Sequence, residues 1–550
     1  MKEKQTEKAG KQTRNCCRFF SGKGGWKMRA LLTGKQMKEI DRRTIAEIGI
    51  PSMVLMERAA LAVAEEVKKR TKKTEKIWCA CGCGNNGADG VAAARLLHLA
   101  GYPVMVVYIG NREKGSEEFK RQAAIAENLG ISVIFFREFI PGSCDVLVDA
   151  VFGVGLSRPV EKEFLDFFTM LKRAKPRLTV AVDLPSGISS ESGQILGAAL
   201  KADVTVTFGW EKLGTVLYPG KDYSGQVIVA DIGFLPLSFW DDEKGADRAD
   251  RGKENYAFTY GPEDKERIPL RPAYANKGSF GKVLIVAGSK NMGGAAYLSA
   301  LAAYRAGAGL VKILTVEENR EFLQVRLAEA ILETYSGEQF HENPENFRPM
   351  LEENCEWADV VVLGPGLGKA AYVEALTEMV LTIACTPIVV DADALNMIAA
   401  HPYMCGYFTE NIIITPHLGE MARLTGKSIS RIRQDVPGTA AEYAANYGIT
   451  CVLKDAATAV ALRDGRMYIN TSGNSTMAKA GSGDVLTGII AALLAQGMDE
   501  MEGTVLGVYL HGLAGDEYRK ENGSYGMLAG ELADYAGRLF KQEDEVHRHG

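Results

Sequence analysis

Two stretches of this chain set chemically able residues among turn formers. In "GNSTMAKAGSGDVLTG" (473–488), Gly481, Ser482 and Gly483 precede Asp484, and an apolar run follows. The pattern reads as a loop that opens a helix. The first N–H groups of a helix are unpaired and its dipole end is positive, so such a turn is an anion site. Asp484 puts a negative charge there, and no lysine stands where a P-loop needs one. In "GCGNNGADG" (82–90), two asparagines follow an apolar run. Their carbonyl and amide groups suit a phosphate or a hard cation. An Asn-Gly turn capping the next helix would read the same way. "VDAVFGVGLSRP" and "VDLPSG" add Asp149, Asp183 and Ser186 at the ends of further apolar runs. Three such ends with oxygen donors and an acid exceed what turns require.

The elements that position these residues follow from pattern. "KIWCACG", "VAAARLLHLAGY" and "PVMVVYIG" make a strand–helix–strand unit. "DVLVDAVFGVG", "LTVAVDLPSG", "DVTVTFGW" and "QVIVADIG" repeat the strand-then-turn theme. After a charged, aperiodic stretch the same grammar returns. "KVLIVAGS", "VKILTV", "VVVLGPGLG", "PIVVDADAL", "IIITPHLGE" and "CVLKD" are strands; "GGAAYLSALAAYRAGAGL" and "GDVLTGIIAALLAQG" are helices. Two α/β domains with largely parallel sheets are predicted, with ligands beyond the carboxyl ends of the strands. The boundaries are a basic extension (1–28) expected to be disordered, a first domain (29–236), a linker (237–269) and a second domain (270–545).

The bulk numbers agree. At 550 residues, the chain is too long for one ordinary core. It is 46% apolar and 24% charged, with a net charge of -5, which disfavours a nucleic-acid surface. No apolar run reaches membrane-helix length. The ten cysteines are scattered; Cys79, Cys81 and Cys83 have a poor zinc spacing and read as small strand-end residues. Reduced thiols and a cytoplasmic location are expected.

"MKEIDRRTIAEIGIPSMVLMERAA", "GCGNNGADG", "VDAVFGVGLSRP" and "VDLPSG" together resemble the epimerase domain of the NAD(P)H-hydrate repair enzymes. The resemblance implies a Rossmann-like αβα sandwich that interconverts the R and S forms of hydrated NADH and NADPH. It implies a substrate loop at Asn85, Asn86, Gly87, Ala88 and Asp89, with Ala88 where the family has a second glycine. It also implies a second loop, Gly153, Val154, Gly155, Leu156, Ser157, Arg158 and Pro159, and a proton-transfer acid, Asp183. Its potassium ligands map to Asn86, Asp149 and Ser186, a donor set of oxygens that suits a hard cation.

"KGSFGKVLIVAGSKNMGGAAYLSALAAYRAGAGLVKI", "VLGPGLG", "DADAL", "TPHLGE", "VLKDAATAV" and "GNSTMAKAGSGDVLTG" are similar, in order, to the ADP/ATP-dependent NAD(P)H-hydrate dehydratases of the ribokinase-like kinases. That likeness implies hydrate contacts at Ala295, Gly366, His417 and Asp484. It implies nucleotide contacts at Lys454, Asp455, Ala456, Ala457, Thr458 and Gly483. Asp455 replaces the family's glycine and is expected to point outward. Ala480 replaces the first glycine of the family's Gly-Gly-Thr-Gly-Asp turn. The fused form implies ADP with Mg2+, substrates NADHX and NADPHX, and a homo-oligomer. In this light Asp484 is the base that deprotonates the attacking hydroxyl. His417 could be a turn or capping residue, and Lys454 a solvated strand-end lysine; ligand contact is the favoured reading of both. The competing functions are a small-alcohol or vitamin kinase fused to a Rossmann-like binding domain, and a binding protein without catalysis.

Overall fold

A computed structural model describes residues 29–140, 142–238 and 256–541. The extension at 1–28 and residues 239–255 of the expected linker lie outside the described residues. Among the described residues the strands form one sheet of 7 and one of 12.

The 7-stranded sheet runs, in spatial order, Val133–Phe135, Val104–Ile109, Ile77–Gly82, Val146–Ala150, Leu178–Val182, Val204–Phe208 and Gln226–Ala230. Every pairing is parallel. Its central strands, such as "VLVDA" and "LTVAV", are buried along their whole length. A parallel sheet covered on both faces requires such continuous apolar runs. Helices Ser52–Arg70 and Asn85–Leu99 cover one face, and Lys162–Arg173 the other. Cys79 and Cys81 lie buried within the strand Ile77–Gly82, as small core residues with free thiols.

The larger sheet begins Ile331–Tyr335, Leu310–Val316, Lys282–Val286, Val360–Leu363, Ile388–Val390, Ile412–Ile414 and Thr450–Leu453, all parallel. Antiparallel Ala459–Ala461 and Met467–Ile469 follow. Helix Ser482–Ala495 is apolar beyond its first turn and packs against Gly293–Arg305. The approach is close: a Cβ on Gly488 would lie 2.2 Å from the Ser299 carbonyl oxygen.

The division between domains differs from the expected one. From Tyr256 the presumed linker is folded: Ala257–Thr259 is a strand beside Met467–Ile469, and Pro262–Arg267 is a 3-10 helix. Arg29–Leu32, expected in the first domain, pairs antiparallel with Ala257–Thr259, and Glu211–Lys212 pairs with Arg29–Leu32. Two short strands from the first half of the chain therefore extend the second half's sheet. A polar, charged neighbourhood hid the three-residue strand "AFT" from pattern reading. Side chains add to the junction: Lys221 Nζ donates to the Thr471 carbonyl at 3.1 Å, and Gln194 Nε2 to the Arg433 carbonyl at 2.9 Å. No helix among the described residues is long and apolar enough to cross a membrane.

Leu31 is fully buried in the core of the larger sheet. Leu31→Ala should lower the stability of that sheet by about 2–5 kcal/mol, read as an earlier midpoint in urea denaturation. An unchanged midpoint would mean that the added strands do not hold the sheet.

Candidate functional site

Each sheet carries a cluster of the residues singled out above at the carboxyl ends of its strands. In the first, a cavity of about 810 Å³ is lined by Asn85, Asn86, Asp89, Gly153 through Arg158, and Asp183. Gly87, Ala88, Asp149 and Ser186 are buried and, like the exposed Pro159, are not part of that lining.

The asparagine loop is the first turn of helix Asn85–Leu99, capped by Gly84. Gly87 must be glycine, because a Cβ there would lie 1.7 Å from the Gly82 carbonyl oxygen. Ala88 is fully buried, and its methyl packs into the core under the helix, which explains why alanine is accepted at that position. Asn86 abuts the second loop: a Cβ on Gly153 would lie 2.7 Å from Asn86 Oδ1. Behind this contact, Ser186 Oγ donates to Asp149 Oδ1 at 2.5 Å, and the Ser186 N–H donates to Asp149 Oδ2 at 2.8 Å. The Phe152 N–H in turn donates to Ser186 Oγ at 2.8 Å. Burial pushes the Asp149 carboxyl up to about 6, against the lowering effect of the Ser186 hydrogen bonds. Asn86 Nδ2 is buried with no hydrogen-bond partner among the described residues.

Asp183 leaves its strand with φ +67°, a left-handed conformation that is strained for a residue with a Cβ. Its N–H donates to the Val206 carbonyl at 2.8 Å, which fixes the kink. Lys212, which sequence reasoning missed, is 1% exposed and lines the same cavity. Its Nζ donates to Asp183 Oδ1 at 2.6 Å. Asp41 and Glu118 line the cavity too. Burial, then the nearby Asp183 and Asp41, hold the Asp89 carboxyl well above the ordinary range.

In the larger sheet, Gly481 adopts φ +89° and precedes helix Ser482–Ala495, with Asp484 in the first turn. Burial, then repulsion from Asp391, pushes the Asp484 carboxyl up to about 7, against the attraction of Lys454. Lys454 Nζ donates to Asp391 Oδ1 at 2.7 Å and would lie 3.2 Å from a Cβ on Gly483. Burial disfavours the Lys454 charge, but Asp391 and Glu420 outweigh that and hold its pKa above the usual value. Lys454 is thus a paired lysine beside the glycine turn, not a solvated one. Asp455 and Ala456 are exposed, Ala457 is buried and Thr458 half-buried. The outward aspect expected of Asp455 is what its exposure shows.

His417 caps helix Leu418–Thr425. Its Nδ1 accepts from the Gly419 N–H at 2.9 Å and the Glu420 N–H at 3.3 Å. The Glu420 carboxylate accepts the His417 N–H at 2.8 Å. The capping reading is therefore realised. Gly366 (φ +65°) meets Ala295: a Cβ on it would lie 2.8 Å from the Ala295 Cβ. Beside that turn opens a cavity of about 770 Å³ that includes Leu367, Gly368 and Lys369, but neither Asp484 nor Lys454. Leu298, on the helix that starts at Gly293, reaches the glycine turn; a Cβ on Gly481 would lie 2.5 Å from it.

The strand-end rule could have found Asp391, in the quoted "DADAL", and it was passed over. Nothing in "GWEKLG" marks Lys212 as buried. His511 was also missed. Its Nε2 lies 2.9 Å from the Ser482 carbonyl, and burial pushes it down to about 4.

Two strand-end clusters in one chain, each with a buried carboxylate–lysine pair, define a two-site α/β enzyme. Residues 283–538 match the family model described as NAD(P)H-hydrate dehydratase, and residues 52–214 match that of the YjeF-related protein N-terminus. The bifunctional NAD(P)H-hydrate repair enzyme Nnr of Moorella thermoacetica is 36% identical over 532 residues, covering 94% of this chain and 98% of that one. The enzyme of the same name from Escherichia coli K12 is 33% identical, covering 92% of each. A solved ADP/ATP-dependent NAD(P)H-hydrate dehydratase from Bacillus subtilis, co-crystallized with ATP/Mg2+, is 30% identical. It covers 50% of this chain and 95% of that one, with a TM-score of 0.43. The chain belongs to the family of bifunctional NAD(P)H-hydrate repair enzymes.

A carboxyl whose pKa rises on folding gives its full stabilising share below its ordinary pKa and loses it as pH climbs through the raised value. For Asp484 that window runs from about 4 to about 7. Asp484→Asn mimics the protonated form. It should match the wild type at pH 4 and be more stable at pH 8, on the order of 2 kcal/mol. Urea midpoints at the two pH values check this.

Proposed function

We propose that this chain repairs hydrated nicotinamide cofactors, interconverting the R and S hydrates in its first domain and dehydrating the S form in its second. The observation that carries the reading is the second-site turn. There Asp484 stands at a helix start with its carboxyl near 7, where a general base is most useful, and Lys454 lies beside Gly483.

The chemistry follows from the substrate. Reduced nicotinamide is a cyclic enamine. Protonation at the carbon β to the ring nitrogen and addition of water at the α carbon leave a hydroxyl next to nitrogen. Asp484 takes the proton of that hydroxyl as its oxygen attacks the terminal phosphoryl group of the nucleotide. The N–H groups at the start of helix Ser482–Ala495 stabilise the charge that develops. The resulting phosphate ester leaves as inorganic phosphate with the C–O electron pair. Loss of the β proton then restores the enamine. ADP, held by Lys454 through Thr458 and by Gly483, becomes AMP. Mg2+ with the nucleotide would neutralise phosphate charge. Ala295, Gly366 and His417 are the proposed hydrate contacts.

In the first site, Asn86, Asp149 and Ser186 offer oxygen donors, a set that suits a hard cation; the buried Asn86 Nδ2, a donor without a partner among the described residues, suits a substrate oxygen. Potassium, when bound, would supply a fixed positive charge behind the substrate loops. Asp183 exchanges the proton, with Asn85 to Asp89 and Gly153 to Pro159 enclosing the substrate. NADHX and NADPHX both fit this reading, as does assembly of several copies.

Asp484→Asn should cut S-hydrate repair by roughly 10²–10⁴-fold while leaving R–S interconversion intact. Asp183→Asn should do the reverse. Separated epimers, followed by chromatography and nicotinamide absorbance, decide between these outcomes. Recovery of a stable phosphoester instead of free phosphate would make the second domain a kinase. Potassium chloride should also support faster epimerisation than a large organic-cation salt at equal ionic strength; equal rates would remove the potassium assignment.

A further inference from the structure

The floor of the first cavity holds a lysine whose bonding is complete. Lys212 Nζ donates to Asp183 Oδ1 at 2.6 Å, to Thr207 Oγ1 at 2.8 Å and to the Phe208 carbonyl at 2.8 Å. Three acceptors need three N–H groups, which only the ammonium form has. The Thr207 hydroxyl accepts from Lys212 and donates a hydrogen bond to Asp183 Oδ1 at 3.2 Å. The Phe208 N–H reaches the same oxygen at 3.3 Å. One oxygen of Asp183 is thus fully engaged. Oδ2 has no protein partner among the described residues, on a side chain that lines the cavity.

We propose that Lys212 is a positioning residue for the R–S interconversion: its ammonium clamps Asp183 Oδ1 and leaves Oδ2 as the single working oxygen, held as a carboxylate toward the substrate ring. The proposal rests on the epimerase reading above. Inversion at the hydroxyl-bearing carbon proceeds when the ring nitrogen's lone pair expels the hydroxyl. That group leaves as water, with the C–O pair and one proton from an acid. Water then adds to the opposite face and gives one proton to a base, so nothing is gained or lost overall. The second half needs a base that is ionised and correctly aimed, and the Lys212 clamp supplies both conditions.

The need for a clamp is visible in the surroundings. Asp41 from helix Gly34–Arg43, Asp89 from helix Asn85–Leu99 and Glu118 from helix Glu117–Asn128 line the same cavity. Lys38, Lys114 and Arg158 are its other cations, and no hydrogen bond joins any of them to Asp183 among the described residues. Lys212 is the cation in contact with Asp183. Burial lowers the Lys212 ammonium itself, against the opposing pull of Asp183, so the pair holds only while both partners remain. The backbone under Lys212 is also fixed, because Lys212 lies opposite Leu32 in the strand pairing that joins the larger sheet.

The test is Lys212→Met in the full chain, with epimer interconversion measured across pH. The expected result is a fall in kcat of roughly tenfold to a hundredfold with KM nearly unchanged. The acidic limb of the pH–rate profile should move up by about one pH unit or more. Nucleotide-dependent repair of the S form, which uses the other domain, should persist and reports that the chain is folded. The wild-type chain run in parallel reports separately on whether the site interconverts epimers at all. A wild-type kcat and profile in Lys212→Met would overturn the proposal, as would a loss confined to KM. Should that variant fail to fold, Thr207→Val decides. It removes one anchor of the ammonium and keeps the shape, and an unchanged kcat and profile there would equally overturn the proposal.

Discussion

A carboxylate buried at the end of a parallel strand needs a cation or a set of hydrogen-bond donors against it to stay an anion. Desolvation otherwise drives a proton onto it. Both sites of this chain meet that constraint with the same device. Asp183 is bonded to Lys212 at 2.6 Å, and Asp391 to Lys454 at 2.7 Å. In each case the lysine is largely enclosed. Other carboxyls in the same clusters have no lysine hydrogen-bonded to them among the described residues. Asp89 in the first site and Asp484 in the second are raised, burial being the main cause in both. Each cluster therefore contains one carboxylate tied to a lysine and another whose affinity for a proton is high. That separation of environments is what acid–base work on a hydroxyl requires.

The two lysines are joined by one sheet. Lys454 follows the strand Thr450–Leu453, and Lys212 ends the strand Glu211–Lys212. Both strands belong to the 12-stranded sheet, separated by Ala459–Ala461, Met467–Ile469, Ala257–Thr259 and Arg29–Leu32. Asp183 itself sits on the other sheet, after Leu178–Val182. The first site is thus built where the two sheets meet: the acid comes from one and its cation from the edge of the other. A chain cut between the halves would leave Glu211–Lys212 and Arg29–Leu32 without the Ala257–Thr259 partner.

Most of the fold is legible in the sequence because parallel strands buried on both faces must be written as runs such as "VLIV" and "VVVL", and must end in glycine or polar turns. Asp149 and Asp183 are legible for the same reason, since they sit at the ends of those runs. What is not legible shares one physical cause: its meaning lies in contacts distant along the chain. Lys212 looks like any surface lysine until the strand Arg29–Leu32 covers it. "AFT" is too short and too polar in its flanks to announce a strand. Ala88 reads as an intruding methyl until the helix turns it into the core. Asp391 was within reach, one residue past "PIVV", and only its partner Lys454, 63 positions away, shows what it does.

His417 is a helix cap, and the cap decides what its ring could offer a ligand. Its Nδ1 is occupied as an acceptor for the Gly419 and Glu420 N–H groups. That assignment leaves the ring proton on Nε2, a tautomer fixed by the hydrogen-bond pattern. Burial, with Lys454 and Arg423 nearby, lowers the imidazole pKa, so the ring is held neutral. Half of the side chain remains exposed, at 54%. Nε2 lies 3.3 Å from Glu420 Oε1, so its proton already has an acceptor. A substrate oxygen reaching His417 must share that donor or draw it from Glu420, whose carboxyl burial has pushed up. The cap thus dictates what the histidine can offer: one neutral donor, already turned toward Glu420 of the helix it begins.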